Sequence, residues 1–346
     1  MKALLTSILF TSRLLAEPPE PDTIKQLDLP GVQVIWRSVM YLICGDSLFD
    51  FFLTDETGPG AATYSARAGG SPFNVAIGIA RLEGKSSMLT GLSTDLLGVR
   101  LRQVLEAENV DTRFAIENDR PTTLSLVGLD AAGSPAYQFY GDNAADTSIE
   151  PAQLPILDNT ITGLHFGSYS IVVAPGADAL AALARDNSDK FISFDPNIRP
   201  TIEPDMTVWQ TRIAELLPHV DLLKISKEDI DVLHPGQSPD ELALGWLAAG
   251  VRMVVVTDGG ETAQGWLANG GQTEVSPPAT KVVDTVGAGD TFQAALLAEL
   301  ALRGKPREVI DGLDETGLSE ILMTAAHAAA ITCSRRGADM PRRDEL

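Results

Sequence analysis

The segment Asp284-Thr285-Val286-Gly287-Ala288-Gly289-Asp290-Thr291-Phe292 carries residue types suited to phosphoryl chemistry. Three small residues, Gly287, Ala288 and Gly289, let consecutive backbone N–H groups point into one concavity. The stretch from Thr291 to Arg303 predicts a helix, whose N-terminal dipole strengthens that concavity's attraction for negative charge. Asp290 stands beside this anion site, an odd place for a carboxylate unless it handles a proton. An exposed aspartate has a pKa of about 3.9, so it is ionised at neutral pH and can accept one. Spacing alone leaves a second reading open, with Asp290 as a helix N-cap and the glycines serving only the turn.

Other familiar patterns fail. Gly84-Lys85-Ser86 lacks the first glycine of a P-loop, because Ile79 occupies its place and Gly78 comes one residue too early. Phe292 stands where a Gly-x-Gly-x-x-Gly motif needs its third glycine. Two cysteines, Cys44 and Cys333, exclude a disulfide scaffold and a cysteine-rich zinc site. The four histidines have no His-x-x-x-His spacing, which speaks against a histidine-built metal centre.

The elements that must position the loop are legible as an alternation. Short aliphatic runs at 41–44, 87–90, 163–166, 191–194, 220–225 and 253–257 predict buried parallel strands. Helical patterns lie between and after them, at 73–83, 97–109, 176–187, 206–217, 239–249, 290–303 and 317–333. This predicts an α/β fold, a doubly wound and mostly parallel sheet with helices on both faces. Two stretches break the pattern. Residues 47–68 lack helical periodicity, and 122–129 with 135–140 alternate around Ala131-Ala132-Gly133-Ser134 as a hairpin does. Inserted strands from about 47–68 and 120–142 would form a small lid at the strand ends, excluding water.

The chain has 346 residues, is 44% hydrophobic and carries a formal charge of −21, so it can build a core but is a poor partner for nucleic acid or anionic membrane. Residues 1–40 read as an N-terminal extension, an artefact of start-codon choice in this reading, with the fold at 41–346. Lys2 and the apolar stretch 3–16 form a weak signal-like pattern, and 17–30 is a proline-rich linker. Lys2, Arg13, Lys25 and Arg37 balance Glu17, Glu20, Asp22 and Asp28, so the whole negative charge belongs to 41–346. The final Arg-Asp-Glu-Leu is close to a retention signal and reads as a polar tail.

The Asp284–Asp290 loop resembles the C-terminal signature of the PfkB, or ribokinase-like, carbohydrate kinases. Four further segments match in order: Gly45-Asp46-Ser47-Leu48-Phe49-Asp50-Phe51, Ala68-Gly69-Gly70-Ser71-Pro72-Phe73-Asn74, Asp195-Pro196-Asn197-Ile198-Arg199, and Ala326-His327-Ala328 through Gly337-Ala338. Bacterial fructokinases are the members they are most similar to. The resemblance implies Asp290 as the base that deprotonates a sugar hydroxyl, with the 287–289 backbone as the anion hole. It implies Asp50, Gly69, Gly70, Asn74, Asn197 and Arg199 on the sugar side. Ser226, Thr257, Gly259 and His327 would line the nucleotide site.

The family's Asn-x-x-Glu appears here as Ser226-Lys227-Glu228-Asp229, so Glu228 or Asp229 supplies the magnesium carboxylate. Asp284 resembles a monovalent-cation residue, implying potassium. Thr262 stands where a glycine is usual, and Gly141 where many fructokinase relatives have arginine. The implied protein is a cytoplasmic, ATP- and magnesium-dependent sugar kinase, dimeric through its lid. The neighbouring readings are 2-keto-3-deoxygluconate kinase, ribokinase and nucleoside kinase; a non-catalytic sugar sensor is the rival from another class.

Overall fold

The computed structural model describes residues 39–58, 60–129 and 135–346. The first strand, β1 (Met40–Cys44), is apolar on both faces because it is covered on both: Tyr41 and Ile43 enter one hydrophobic core, Leu42 and Cys44 another. The chain then leaves the body as β2 (Leu48–Gly58), returns as β3 (Ala61–Gly69), and enters α1 (Ser71–Arg81). Next come β4 (Lys85–Leu89), β5 (Gly91–Ser93), α2 (Leu96–Ala107) and β6 (Ile116–Asn118). A second excursion is made by β7 (Thr123–Leu129) and β8 (Pro135–Tyr140). Strand and helix then alternate through β9 (Gly163–Gly167), α3 (Gly176–Asp186), β10 (Phe191–Asp195), α4 (Met206–Leu216), β11 (Leu222–Ser226), α5 (Lys227–Leu233), α6 (Pro239–Ala248) and β12 (Met253–Asp258). The chain finishes with β13 (Thr262–Leu267), β14 (Gln272–Val275), α7 (Ala288–Arg303), α8 (Pro306–Gly312) and α9 (Glu315–Cys333).

The main sheet runs β14-β13-β12-β11-β10-β9-β1-β4, parallel from β12 to β4 and antiparallel at β13 and β14. Residues of α1, α7 and α9 fill the core on one face, and residues of α3, α4 and α5 that on the other. The six strands read from the sequence are all present, β4 lying two residues early because Lys85 and Ser86 pair with Met40 and Tyr41. The antiparallel edge, the β5–β6 pair and the short helices α5 and α8 were not anticipated. Gln264 and Gly265 hide β13 from a hydrophobicity pattern, yet a Cβ at Gly265 would stand 2.9 Å from Leu322 Cδ1, so close packing on α9 selects glycine there.

The excursions form one four-stranded sheet, β3-β2-β7-β8, as the lid reading expects. The expected turn at 131–134 and residues 1–38 of the expected extension lie outside the described residues. Val39 is buried and Met40 opens β1, so the fold begins slightly before residue 41. The carboxyl ends of the parallel strands bring Gly45, Asp195, Ser226 and Asp258 to one edge, where ligands bind in open α/β sheets. No described helix is long and apolar enough to cross a membrane.

Candidate active site

The glycine loop ends on a true helix start. Gly287 is the N-cap of α7 with φ +78°, and a Cβ there would stand 2.8 Å from Ala338 Cα. Left-handed backbone and a neighbouring chain therefore both demand glycine. Asp290 lies inside the first turn and is not the cap, which removes the capping reading. The Ala288 amide is taken by the Thr285 carbonyl at 3.2 Å, so it is not an open donor as the 287–289 reading expects. Among the described residues the amides of Gly287, Gly289 and Asp290 have no acceptor, and they lie at the positive end of a sixteen-residue helix.

Asp290 is buried and surrounded by polar side chains from distant segments. Asn74 Nδ2 donates to its Oδ2 at 2.8 Å, and Asn197 Nδ2 approaches its Oδ1 at 3.4 Å. Asn197, with φ +46°, also donates to Ser71 Oγ at 2.8 Å. Burial raises the Asp290 pKa above the ordinary carboxylate range, while bonds from Asn74 and Ser71 and the charges of Lys224 and Arg199 pull it back. The exposed-aspartate value used for the sequence thus understates its basicity.

Asp50 reaches the same site from β2. Its Oδ2 would stand 2.8 Å from a Cβ on Gly69, so Gly69 admits the carboxylate by having none. Burial raises the Asp50 pKa; the Ser125 hydroxyl and Arg199 oppose this, and the charge of Asp290 adds to it. Gly70 caps α1 with φ +110°. Arg199 is exposed and folds back on the carbonyls of Asn197 (3.3 Å) and Ile198 (2.9 Å). The structure therefore brings Asp50, Gly69, Gly70, Asn74, Asn197, Arg199 and Asp290 together from four segments.

The sequence reading missed Lys224. It sits in β11 with its side chain 4% exposed and pairs with Asp195 Oδ2 at 2.7 Å. Its Nζ lies 3.2 Å from where a Cβ of Gly289 would be, which brings it to the start of α7. A lysine inside the apolar run 220–225 was the available signal, since a fully buried lysine needs a reason.

Ser226 caps α5 by accepting from the Asp229 amide at 3.0 Å and is level with Thr257 on β12. Gly259, with φ +50°, turns the chain after β12. Asp229 points inward: its Oδ1 accepts from the Ile198 amide at 3.0 Å, and burial, then the charge of Asp195, push its pKa up to about 6. Glu228 is exposed. Asp284 bonds the Val286 amide (3.1 Å) with one oxygen and the Gly337 amide (2.7 Å) with the other, closing the loop. His327 is half-buried on α9. Among the described residues no three acidic, histidine or cysteine side chains are grouped to hold a metal ion.

A doubly wound sheet, a small β lid, and a carboxylate beside a helix N-terminus define a kinase of small hydroxylated molecules. The chain matches the pfkB family of carbohydrate kinases over residues 31–344 and belongs to it; it is an ATP-dependent sugar kinase that also requires a divalent metal. It is 37% identical to a fructokinase of Rhizobium leguminosarum bv. trifolii over 81% of this chain and 85% of that one. A probable chloroplastic fructokinase-6 of Arabidopsis thaliana is 31% identical over 86% of this chain and 78% of its own length. The fold superposes on the ATP-bound fructokinase of Xylella fastidiosa with a TM-score of 0.81, at 25% identity and covering 88% and 96% of the two chains. The Vibrio cholerae O395 fructokinase double mutant, solved with fructose, ADP and potassium, gives a TM-score of 0.75 at 25% identity, covering 87% and 94%.

Proposed function

We propose that this kinase is a fructokinase, with Asp290 as the base that takes the proton of a primary hydroxyl of fructose as the ATP γ-phosphoryl group is transferred. The observation that supports this most is the joint placement of Asn74 and Asn197 on the Asp290 carboxylate, in the first turn of α7. Asp50 and Asn74, with the backbone of Gly69 and Gly70, bind and orient sugar hydroxyls. The open amides at the start of α7 and Lys224 hold negative charge on the moving group, which is the main demand of phosphoryl transfer. This local positive site answers the charge of −21, whose field repels ATP.

Ser226, Thr257, Gly259 and His327 line the nucleotide. When bound, magnesium would neutralise the phosphates; Asp229, in no salt bridge among the described residues, would hold it, with exposed Glu228 second. Potassium belongs at the Asp284 loop, as one relative was solved with fructose, ADP and potassium. The enzyme acts in the cytoplasm, as a homodimer through the lid. Register places exposed Tyr64 and Tyr140 on one lid face with Leu53, an apolar surface suited to a second copy. A coupled ATP-consumption screen over fructose, ribose, 2-keto-3-deoxygluconate and nucleosides tests the substrate. Fructose should give the highest kcat/KM, and a better competitor would reject the assignment.

A further inference from the structure

Four crossings of the chain join the lid to the body, and they converge on two buried carboxyls. At the first, Asp46 and Ser47 lead from β1 into β2. At the second, β3 re-enters through Gly69 and Gly70, and a Cβ on Gly70 would stand 3.1 Å from Asp46 Oδ2. At the third, the Thr123 hydroxyl opens β7 and donates to Asp146 Oδ1 at 2.6 Å. At the fourth, β8 leaves past Phe139, whose ring packs edge-on to Tyr169 with centroids 5.2 Å apart. The Tyr169 hydroxyl in turn donates to Asp146 Oδ2 at 2.5 Å.

The two carboxyls are not equivalent. Both oxygens of Asp46 are buried and make no hydrogen bond of good geometry among the described residues, the Ser168 hydroxyl and its own amide being the donors that face it. Asp146 is also buried, which raises its pKa, but bonds from Thr123, Tyr169 and the Ser47 amide oppose this and favour its ionised form. The groups facing Asp46 are Asp146, the Ser168 hydroxyl and Tyr169 from the segment after β9, and Arg199 from the loop after β10. Only Arg199 is cationic, and it bonds carbonyls of its own loop. Two buried carboxylates without a bonded cation do not both ionise. Burial and then the charge of Asp146 push Asp46 up to about 8, so the proton resides there at neutral pH.

We propose that Asp46 and Asp146 hold one proton between them, and that this acid–carboxylate pair is a positioning device fixing the lid root, and with it Asp50 and Gly69, over the body. The consequence for sugar binding rests on the reading that the lid covers the sugar. Loss of the Asp46 proton to solvent leaves two facing anions, and the crossings part.

Hydrogen–deuterium exchange of the full chain without ligand, from pH 6.5 to 9.5 and corrected for intrinsic rates, reads this directly. Protection of 48–58, 61–69 and 123–129 in wild type should fall about tenfold above pH ~8, while β1, β9 and β10 keep theirs. Asp46→Asn, a permanently neutral mimic, should remain protected throughout, and Asp146→Asn should be poorly protected at every pH. Tyr169→Phe removes one donor from Asp146 and keeps the ring, so it should lose protection severalfold at pH 7 even if Asp146→Asn does not fold. A flat wild-type profile, an Asp46→Asn profile that follows wild type, or wild-type protection in Tyr169→Phe overturns the proposal. Fructose KM should rise in parallel with ATP KM unchanged. Because exchange needs no sugar, absence of fructose turnover would count against the substrate reading alone.

Discussion

Asn74 and Asp290 stand 216 residues apart in the chain and are joined by a 2.8 Å hydrogen bond. One lies in the first turn of α1 and the other in that of α7, so two helix starts meet at the edge where the parallel strands end. A carboxylate base that is buried yet supplied with donors is held in one orientation and more basic than an exposed one.

Asp290→Asn removes the proposed base and keeps the shape. Turnover should fall by about 10²–10⁴-fold, the usual worth of general base catalysis, with KM for ATP and sugar little changed. Steady-state kinetics check this, and near-wild-type kcat rejects Asp290 as the base.

Asn74→Ala removes a donor to the ionised form of Asp290, so the Asp290 pKa should rise. The acid limb of the kcat/KM profile should move to higher pH, and turnover at pH 6 should suffer more than at pH 8. An unmoved limb would show that Asn74 acts on the sugar alone.

Lys224→Met leaves Asp195 as an uncompensated buried charge, which typically costs about 3–5 kcal/mol of stability. Adding Asp195→Asn should restore the melting temperature but not the phosphoryl transfer. Recovery of both would reduce Lys224 to a structural partner.

Gly287→Ala forces a side chain into left-handed backbone against Ala338. The conformation costs about 1–2 kcal/mol and the clash adds to it, so both melting temperature and kcat should drop. Gly259→Ala has open space around its φ +50° turn and should lose stability with less effect on turnover.

Asp229 binds its proton more tightly folded than unfolded, where a carboxyl titrates near pH ~3.9. It therefore lowers stability progressively as pH rises from about 4 to about 6. In metal-free buffer, Asp229→Asn should be the more stable protein at pH 7, by at most ~2–3 kcal/mol, with no difference below pH ~4. Urea denaturation at the two pH values measures it.

By itself the sequence determined the parallel sheet, the two lid excursions and the glycine loop. Each is written locally, in aliphatic runs, alternation and small residues next to an aspartate. The sugar-side residues were reachable through five ordered motifs. What the tertiary structure decided is how those residues face one another. Asp290 could be a cap or a base from spacing; the start of α7 at Gly287 and the approach of Asn74 and Asn197 settle that it is not the cap. Between Glu228 and Asp229, only the short helix α5 shows which turns inward. Lys224 near Gly289, and Asp46 and Asp146 at the lid root, involve partners on different segments and carry no local signature. Charge, burial and pKa are properties of such neighbourhoods, which exist only once segments hundreds of residues apart have packed together.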